Sequence, residues 1–168
     1  LERMSARAGQ TLGEVPERTT PSDVLARLRE QLSTADQARL QLEPGPDVPF
    51  WCPVRGLVQV LTNLVRNGLH ASEATGANVV VSAHREEDRL RFIVEDRGTG
   101  IPRALLPRLG EPFFTTKPAG QGMGLGLFLT QTYAELCGGR LELSSEEGQG
   151  TRVTLELPLR KESSDAPR

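Results

Sequence analysis

The clearest periodicity in the chain lies between positions 57 and 69, where Leu57, Val58, Leu61, Leu64, Val65 and Leu69 recur at steps of three and four. That spacing lays a broad apolar stripe along one side of an α-helix. A helix is predicted from Pro53, a residue suited to a first helical turn, to about Glu73, with Gly76 closing it. A second helix is predicted over 124–136, ended by Gly138-Gly139. A shorter one buries Val24, Leu25, Leu28 and Leu32 behind a Thr20 or Ser22 cap. Elsewhere the period falls to two. Residues 78–84 and 89–96 read as strands joined by the charged link Arg85-Glu86-Glu87-Asp88, and 140–145 and 151–157 as a second hairpin around 147–150. Residues 38–42 read as a strand ending at Pro44-Gly45-Pro46, and 1–8 as the tail of a helix broken by Gly9 and Gly13. The order predicts a two-layer α/β sandwich: a mixed, mostly antiparallel sheet of about five strands with helices on one face.

Composition narrows the setting. The 168 residues, 37% hydrophobic and 25% charged, suit one globular domain, and aromatics at 4% leave Leu, Val and Ile to fill its core. Twenty Lys and Arg against 22 Asp and Glu give a net charge of -2, which argues against bulk attraction to nucleic acid or anionic membrane. No apolar run approaches the ~18 residues of a membrane helix, and no signal peptide opens the chain. Cys52 and Cys137 are too few for a disulfide framework and fit a reducing compartment. Leu1, with no Met before it, reads as the start of a piece of a longer protein. Eleven of the 17 glycines fall between Gly98 and Gly150, so the second half holds the backbone that must turn sharply or lie close to something.

Four patches carry candidate chemistry. Asn63 and Asn67, one turn apart on the long helix, share a face and offer neutral amide oxygens to a hard cation; an ordinary surface amide pair would look the same. Asp96-Arg97-Gly98-Thr99-Gly100 follows an apolar strand, with a carboxylate able to accept from an exocyclic amine and glycines that let the backbone approach a flat ring. A plain strand-to-loop turn uses the same residues. Phe113 and Phe114 sit in a Pro-rich loop with Thr116 and Lys117, whose ammonium can meet a phosphate. Gly120-Gln121-Gly122-Met123-Gly124-Leu125-Gly126-Leu127 runs straight into a helix, where bare amides bind phosphate oxygens well. No GxxxxGK[ST], GxGxxG or GxSxG occurs, and no Cys/His cluster has metal spacing.

Taken in order, Asn63-Leu64-x-x-Asn67-Gly68, Asp96-x-Gly98-x-Gly100, Pro112-Phe113-Phe114-Thr115-Thr116-Lys117 and Gly122-x-Gly124-Leu125-Gly126-Leu127 resemble the N, G1, F and G2 boxes of sensor histidine kinases. Their ATP-binding domain, of Bergerat type, belongs to the superfamily shared with gyrase, MutL and related chaperones. The resemblance covers about 47–159. It implies ATP and Mg²⁺ as cofactors, with Asp96 on the adenine amino group, Gly98, Gly100 and Ile101 shaping its pocket, and Asn67 coordinating Mg²⁺ beside Asn63. It also implies an ATP lid over 107–122, with Thr116 and Lys117 inside it and Gly122, Gly124, Leu125, Gly126 and Leu127 on the phosphate side, and a Thr151 hydroxyl near the adenine.

Two departures matter. Many relatives carry Lys where this chain has His70, so that imidazole is either a phosphate contact or a solvent-facing helix residue. Gyrase-like ATPases and the related serine kinases place Glu as a base where Asn63 stands; an amide takes no proton, which favours the histidine-kinase branch, whose nucleophile comes from another domain. Neither His70 nor His84 has the setting of an acceptor histidine, and His84 reads as structural. The implied layout is the end of a dimerisation helix and linker over 1–20, the catalytic domain over 21–160 and a disordered tail over 161–168. The implied partners are the dimerisation domain of the same kinase, a response-regulator receiver domain and a second copy in a homodimer, with no nucleic acid. The implied location is the cytoplasm, with the parent protein free or anchored in the inner membrane. The other class left open is a module of the same superfamily that binds ATP, or hydrolyses it slowly, without histidine phosphotransfer.

Overall fold

In the computed structural model, which describes residues 14–108 and 126–159, a three-residue strand, β1 (Glu17–Thr19), leads directly into helix α1 (Pro21–Glu30). Thr20, not Ser22, is the cap: its hydroxyl accepts from Asp23 N at 3.3 Å, and Pro21 follows at the helix start. Ser33 accepts from Asp36 N at 3.2 Å and nucleates a single-turn helix, α2 (Thr34–Gln37). Local capping therefore claims the residues just before the strand expected over 38–42, and β2 (Leu40–Glu43) begins two residues later. β3 (Phe50–Cys52) feeds α3 (Val54–Ala71). Pro53 stands just outside α3, with ψ 99°, rather than in its first turn. Then come β4 (Val79–Glu86), β5 (Arg89–Asp96), a 3₁₀ turn over Arg103–Arg108, α4 (Gly126–Leu136), β6 (Arg140–Glu146) and β7 (Gly150–Pro158). The helix tail expected over 1–8, the helix start at 124, most of the expected lid over 107–122 and the tail over 161–168 lie outside the described residues.

The main sheet has the order β2-β4-β5-β7-β6; β2 runs parallel to β4 and every other neighbour is antiparallel. This is the expected mixed, mostly antiparallel sheet of five strands. β1 and β3 form a separate antiparallel pair, Glu17 opposite Cys52 and Thr19 opposite Phe50. Val79, Val81 and Ala83, Leu90, Phe92 and Val94, and Val153, Leu155 and Leu157 alternate onto one sheet face and are buried against the helices. Above them Leu57, Leu61 and Val65 of α3 are wholly buried, each such side chain contributing roughly 1.5–3 kcal/mol. Tyr133 ties α4 to the start of α3, its buried hydroxyl donating to Pro53 O at 2.8 Å. Beside it burial pushes the Cys52 thiol up to about 12, which leaves it protonated and inert. α3 has no side-chain cap of its own. Glu14 supplies one from upstream, accepting from Arg55 N at 2.6 Å and Gly56 N at 2.9 Å, a carboxylate set on the positive end of the helix dipole.

The other sheet face is polar, and Glu156 is its centre. Its carboxylate, 3% exposed, accepts from Arg89 at 2.7 Å, Arg91 at 3.3 Å and Arg140 at 3.4 Å. Burial pushes the acid upward, but the Arg89 hydrogen bond and the three nearby guanidinium charges outweigh it and hold Glu156 below the usual glutamate range. A lowered folded pKa means stability that is full above the unfolded glutamate value of about 4.3 and lost as pH falls through the folded one. Thermal melts are expected to show this loss in the native chain and a flatter acid limb in Glu156→Gln, which at neutral pH is less stable by about 1–2 kcal/mol, since the arginines stay partly solvated.

Candidate functional site

Strand register gathers three polar side chains at one end of the sheet. Asp96 of β5 lies opposite Thr151 of β7, and Thr151 opposite Ser145 of β6, all on the face that carries the helices. α3 crosses directly above. A Cβ built on Gly68 would stand 3.2 Å from Asp96 Cβ and 3.4 Å from its Oδ2, so the missing side chain lets the helix approach the carboxylate. Asn67 is the neighbouring residue and Asn63 one turn earlier, both half-buried. The start of α4 closes the other flank: a Cβ on Gly126 would lie 3.7 Å from Asn67 Nδ2 and 3.8 Å from Asn63 Cβ. Leu127 turns inward and packs against the core. Asp96, which lies opposite Thr151, thus meets α3 at Gly68, and the start of α4 meets the same helix at Asn63 and Asn67.

The loop after β5 is fastened at both ends. Gly98 N donates to Asp96 Oδ1 at 2.9 Å, and Thr99 N to Ala71 O at the end of α3 at 3.2 Å. Ile101 N donates to Ser145 Oγ at 2.8 Å, and Gly148 N to Thr99 O at 2.7 Å. A Cβ on Gly98 would overlap the Ala71 carbonyl, and one on Gly100, at φ +69°, the Glu146 carbonyl. The freedom expected to serve a flat ring is therefore used against the protein's own backbone. Burial raises Asp96 above the usual aspartate range, although backbone donors at Gly98 and Thr151 oppose the shift. A half-buried carboxylate with few polar partners is suited to a ligand that brings its own donor.

His70 sits near the end of α3, its side chain 35% exposed and its Nδ1 3.8 Å from Glu73. His84 is exposed on β4, 3.0 Å from the Ser82 hydroxyl. Asn63 looks two ways, since it also lines a groove of about 480 Å³ between α1 and α3 with Arg27, Arg55 and Arg66. Thr116, Lys117, Gly122, Gly124 and Leu125 lie outside the described residues. Ser145 is the residue sequence reading passed over. Its signal was parity: Leu141, Leu143 and Ser145 share the inward face of β6, so a polar residue ends an apolar row beside Thr151.

The donor set defines what the region can hold. Among the described residues no group of three or more His, Cys, Asp or Glu gathers to bind a metal. A cation here would rest on amide oxygen and on ligand phosphates, the preference of a hard ion such as Mg²⁺. Gly126, with no Cβ, leaves open the space beside Asn67 and Asn63, the two residues that would offer amide oxygen. No described helix is long and apolar enough to cross a membrane.

A family model described as histidine kinase-, DNA gyrase B- and HSP90-like ATPase matches residues 53–161. The chain is 37% identical over 142 residues to the alginate biosynthesis sensor protein KinB of Pseudomonas aeruginosa, covering 82% of this chain and 24% of KinB. It is 39% identical over 136 residues to the histidine protein kinase DivJ of Caulobacter vibrioides, covering 79% and 22%. With the sensor kinase CckA of Brucella abortus it shares 35% over 172 residues, 90% of this chain and 18% of that protein. The chain therefore spans about a quarter or less of these relatives. Its fold matches the crystal structure of full-length ShkA in complex with AMPPNP at a TM-score of 0.74, with 24% identity, over 89% of this chain and 32% of that one.

Proposed function

The chain belongs to the histidine kinase-, DNA gyrase B- and HSP90-like ATPases, as an ATP-binding domain of the sensor-kinase type, and from that premise we propose that it binds Mg-ATP and gives the γ-phosphate to a histidine on a partner domain. The observation that carries this reading is the convergence of Asp96, Asn63, Asn67 and Gly126 around α3, with an amide where a general base would stand.

In this reading Asp96 accepts from the adenine amine, and the loop around Gly98, Gly100 and Ile101 holds the base edge. Asn67, with Asn63 beside it, supplies amide oxygen to Mg²⁺, which when bound neutralises phosphate charge. Gly126 and Leu127, with Gly122, Gly124 and Leu125 before them, set the phosphate side, and Thr116, Lys117 and His70 are candidate phosphate contacts. Transfer needs a nucleophile in line with the γ-phosphate and a group that orients it. An asparagine cannot deprotonate water, so the chain alone is a poor hydrolase. The acceptor histidine belongs to a dimerisation domain upstream of this one in a homodimeric kinase, and a receiver-domain aspartate takes the phosphate onward. The catalytic work takes place in the cytoplasm.

Incubation with γ-labelled ATP and Mg²⁺ tests the reading. The chain is expected to bind the nucleotide without labelling itself. A dimerisation segment with its histidine, added upstream, should acquire an acid-labile, base-stable phosphate. Label on His70 or His84 of this chain would overturn the division of labour. ATP binding without transfer to any such segment would leave a nucleotide-binding module instead.

A further inference from the structure

Ser145 makes three close polar contacts with one hydroxyl. Its Oγ is 2.8 Å from Ile101 N, 3.0 Å from Gly150 O and 2.8 Å from the Thr151 hydroxyl. An amide N–H only donates and a carbonyl oxygen only accepts, whereas a hydroxyl has one proton and can also accept. Ile101 N–H must donate to Oγ, and Oγ must donate to Gly150 O. The third contact is then a hydrogen bond only if Thr151 donates to Ser145. No other placement of protons makes hydrogen bonds of all three. Thr151 has in that case spent its proton inside the protein and offers lone pairs alone elsewhere. Asp96, opposite Thr151 in the ladder, offers acceptors as well when ionised.

We propose that Ser145 is a positioning residue that fixes Thr151 as a hydrogen-bond acceptor, giving the base pocket an edge of acceptors only that selects a 6-amino purine over a 6-oxo purine. The inference rests on the reading of Asp96 as the group that faces the adenine amine. An exocyclic amine carries two hydrogens, and two acceptors can meet it directly or through water. A 6-carbonyl brings a lone pair to the same edge and finds no donor, which is the mismatch that polar sites reject most strongly. Were the Thr151 hydroxyl free to turn, it would donate to that carbonyl and discrimination would weaken. The same serine pins Ile101, so one side chain sets both the position of the loop and the direction of the protons.

Calorimetric titration with ATP and with inosine triphosphate, each with Mg²⁺, tests this. The native chain is expected to prefer ATP. Ser145→Ala should lower the ratio of the two affinities about tenfold, the worth of one hydrogen bond, and Ser145→Thr should restore it. In a Thr151→Val background Ser145→Ala should leave the ratio unmoved, because its effect runs through the threonine hydroxyl. If Ser145→Ala weakens both nucleotides equally, or lowers the ratio as much in the Thr151→Val background, the serine only holds the loop and the proposal falls. Should Ser145→Ala fail to fold, Thr151→Val decides alone: lost ATP affinity with inosine triphosphate unchanged or improved supports the proposal, and equal losses overturn it. Equal affinity of the native chain for both nucleotides would overturn the reading of Asp96 itself, and the proposal with it.

Discussion

Replacing Asp96 by Ala is expected to weaken ATP binding about 10- to 100-fold in calorimetric titration, the range of one hydrogen bond to a charged group at about 1.5–3 kcal/mol. The stability of Asp96→Asn should move the other way, or not at all. Burial raises the folded pKa of Asp96, so its ionised form costs stability above that pKa, and the cost vanishes as pH falls below the unfolded value. Asp96→Asn removes the charge but keeps an acceptor for Gly98 N, and its melting temperature at neutral pH should equal or exceed that of the native chain. The same shift predicts that native ATP affinity declines on acidification at a pH above the usual aspartate range. Native-like ATP affinity in Asp96→Ala would remove this residue from the base pocket.

Asn67→Ala should give the second large effect, on the phosphate side. Native affinity for ATP is expected to rise with Mg²⁺, and the variant should lose that gain while binding metal-free nucleotide as before. Labelling of an added acceptor domain should drop about 100-fold or more, the scale seen when one group stabilising transition-state charge is removed. Asn67 lies at the flank of the hydrophobic stripe of α3 and is only half-buried, so folding should survive. Equal Mg²⁺ dependence in native and variant chains would sink the assignment.

What the sequence made legible followed from length and period. α3, with eighteen residues and a sustained apolar stripe, and the two long hairpins declare themselves, because each repeats its period several times. β1 and β3, three residues each, complete barely one period and pair with one another across more than thirty positions. Glu14 was opaque for the same reason: it caps a helix whose first turn lies 41 positions away. Asp96, Asn63 and Asn67 stand out as candidates by type and spacing, but the reason for Gly98 does not, since the Ala71 carbonyl that excludes a side chain there belongs to another element. Ser145 shows the limit in the other direction. Its parity was visible on the page, but its bond to Ile101, 44 positions back, was not.

The packing of Gly98 and Gly100 bears on how descendants of such a domain would decay. Both positions exclude a side chain because protein backbone occupies the space, so a lineage that abandoned its nucleotide would still be held to both glycines by folding alone. Asp96 and Asn67, which face a ligand in the proposed reading, would drift first. So would Gly126: the atoms nearest a Cβ there are 3.7 and 3.8 Å away, ordinary contact distances, so alanine fits once nothing has to lie alongside. Gly98 and Gly100 in a distant homologue are therefore a mark of ancestry. In the proposed reading, Gly126 beside two asparagines is a mark of continued use.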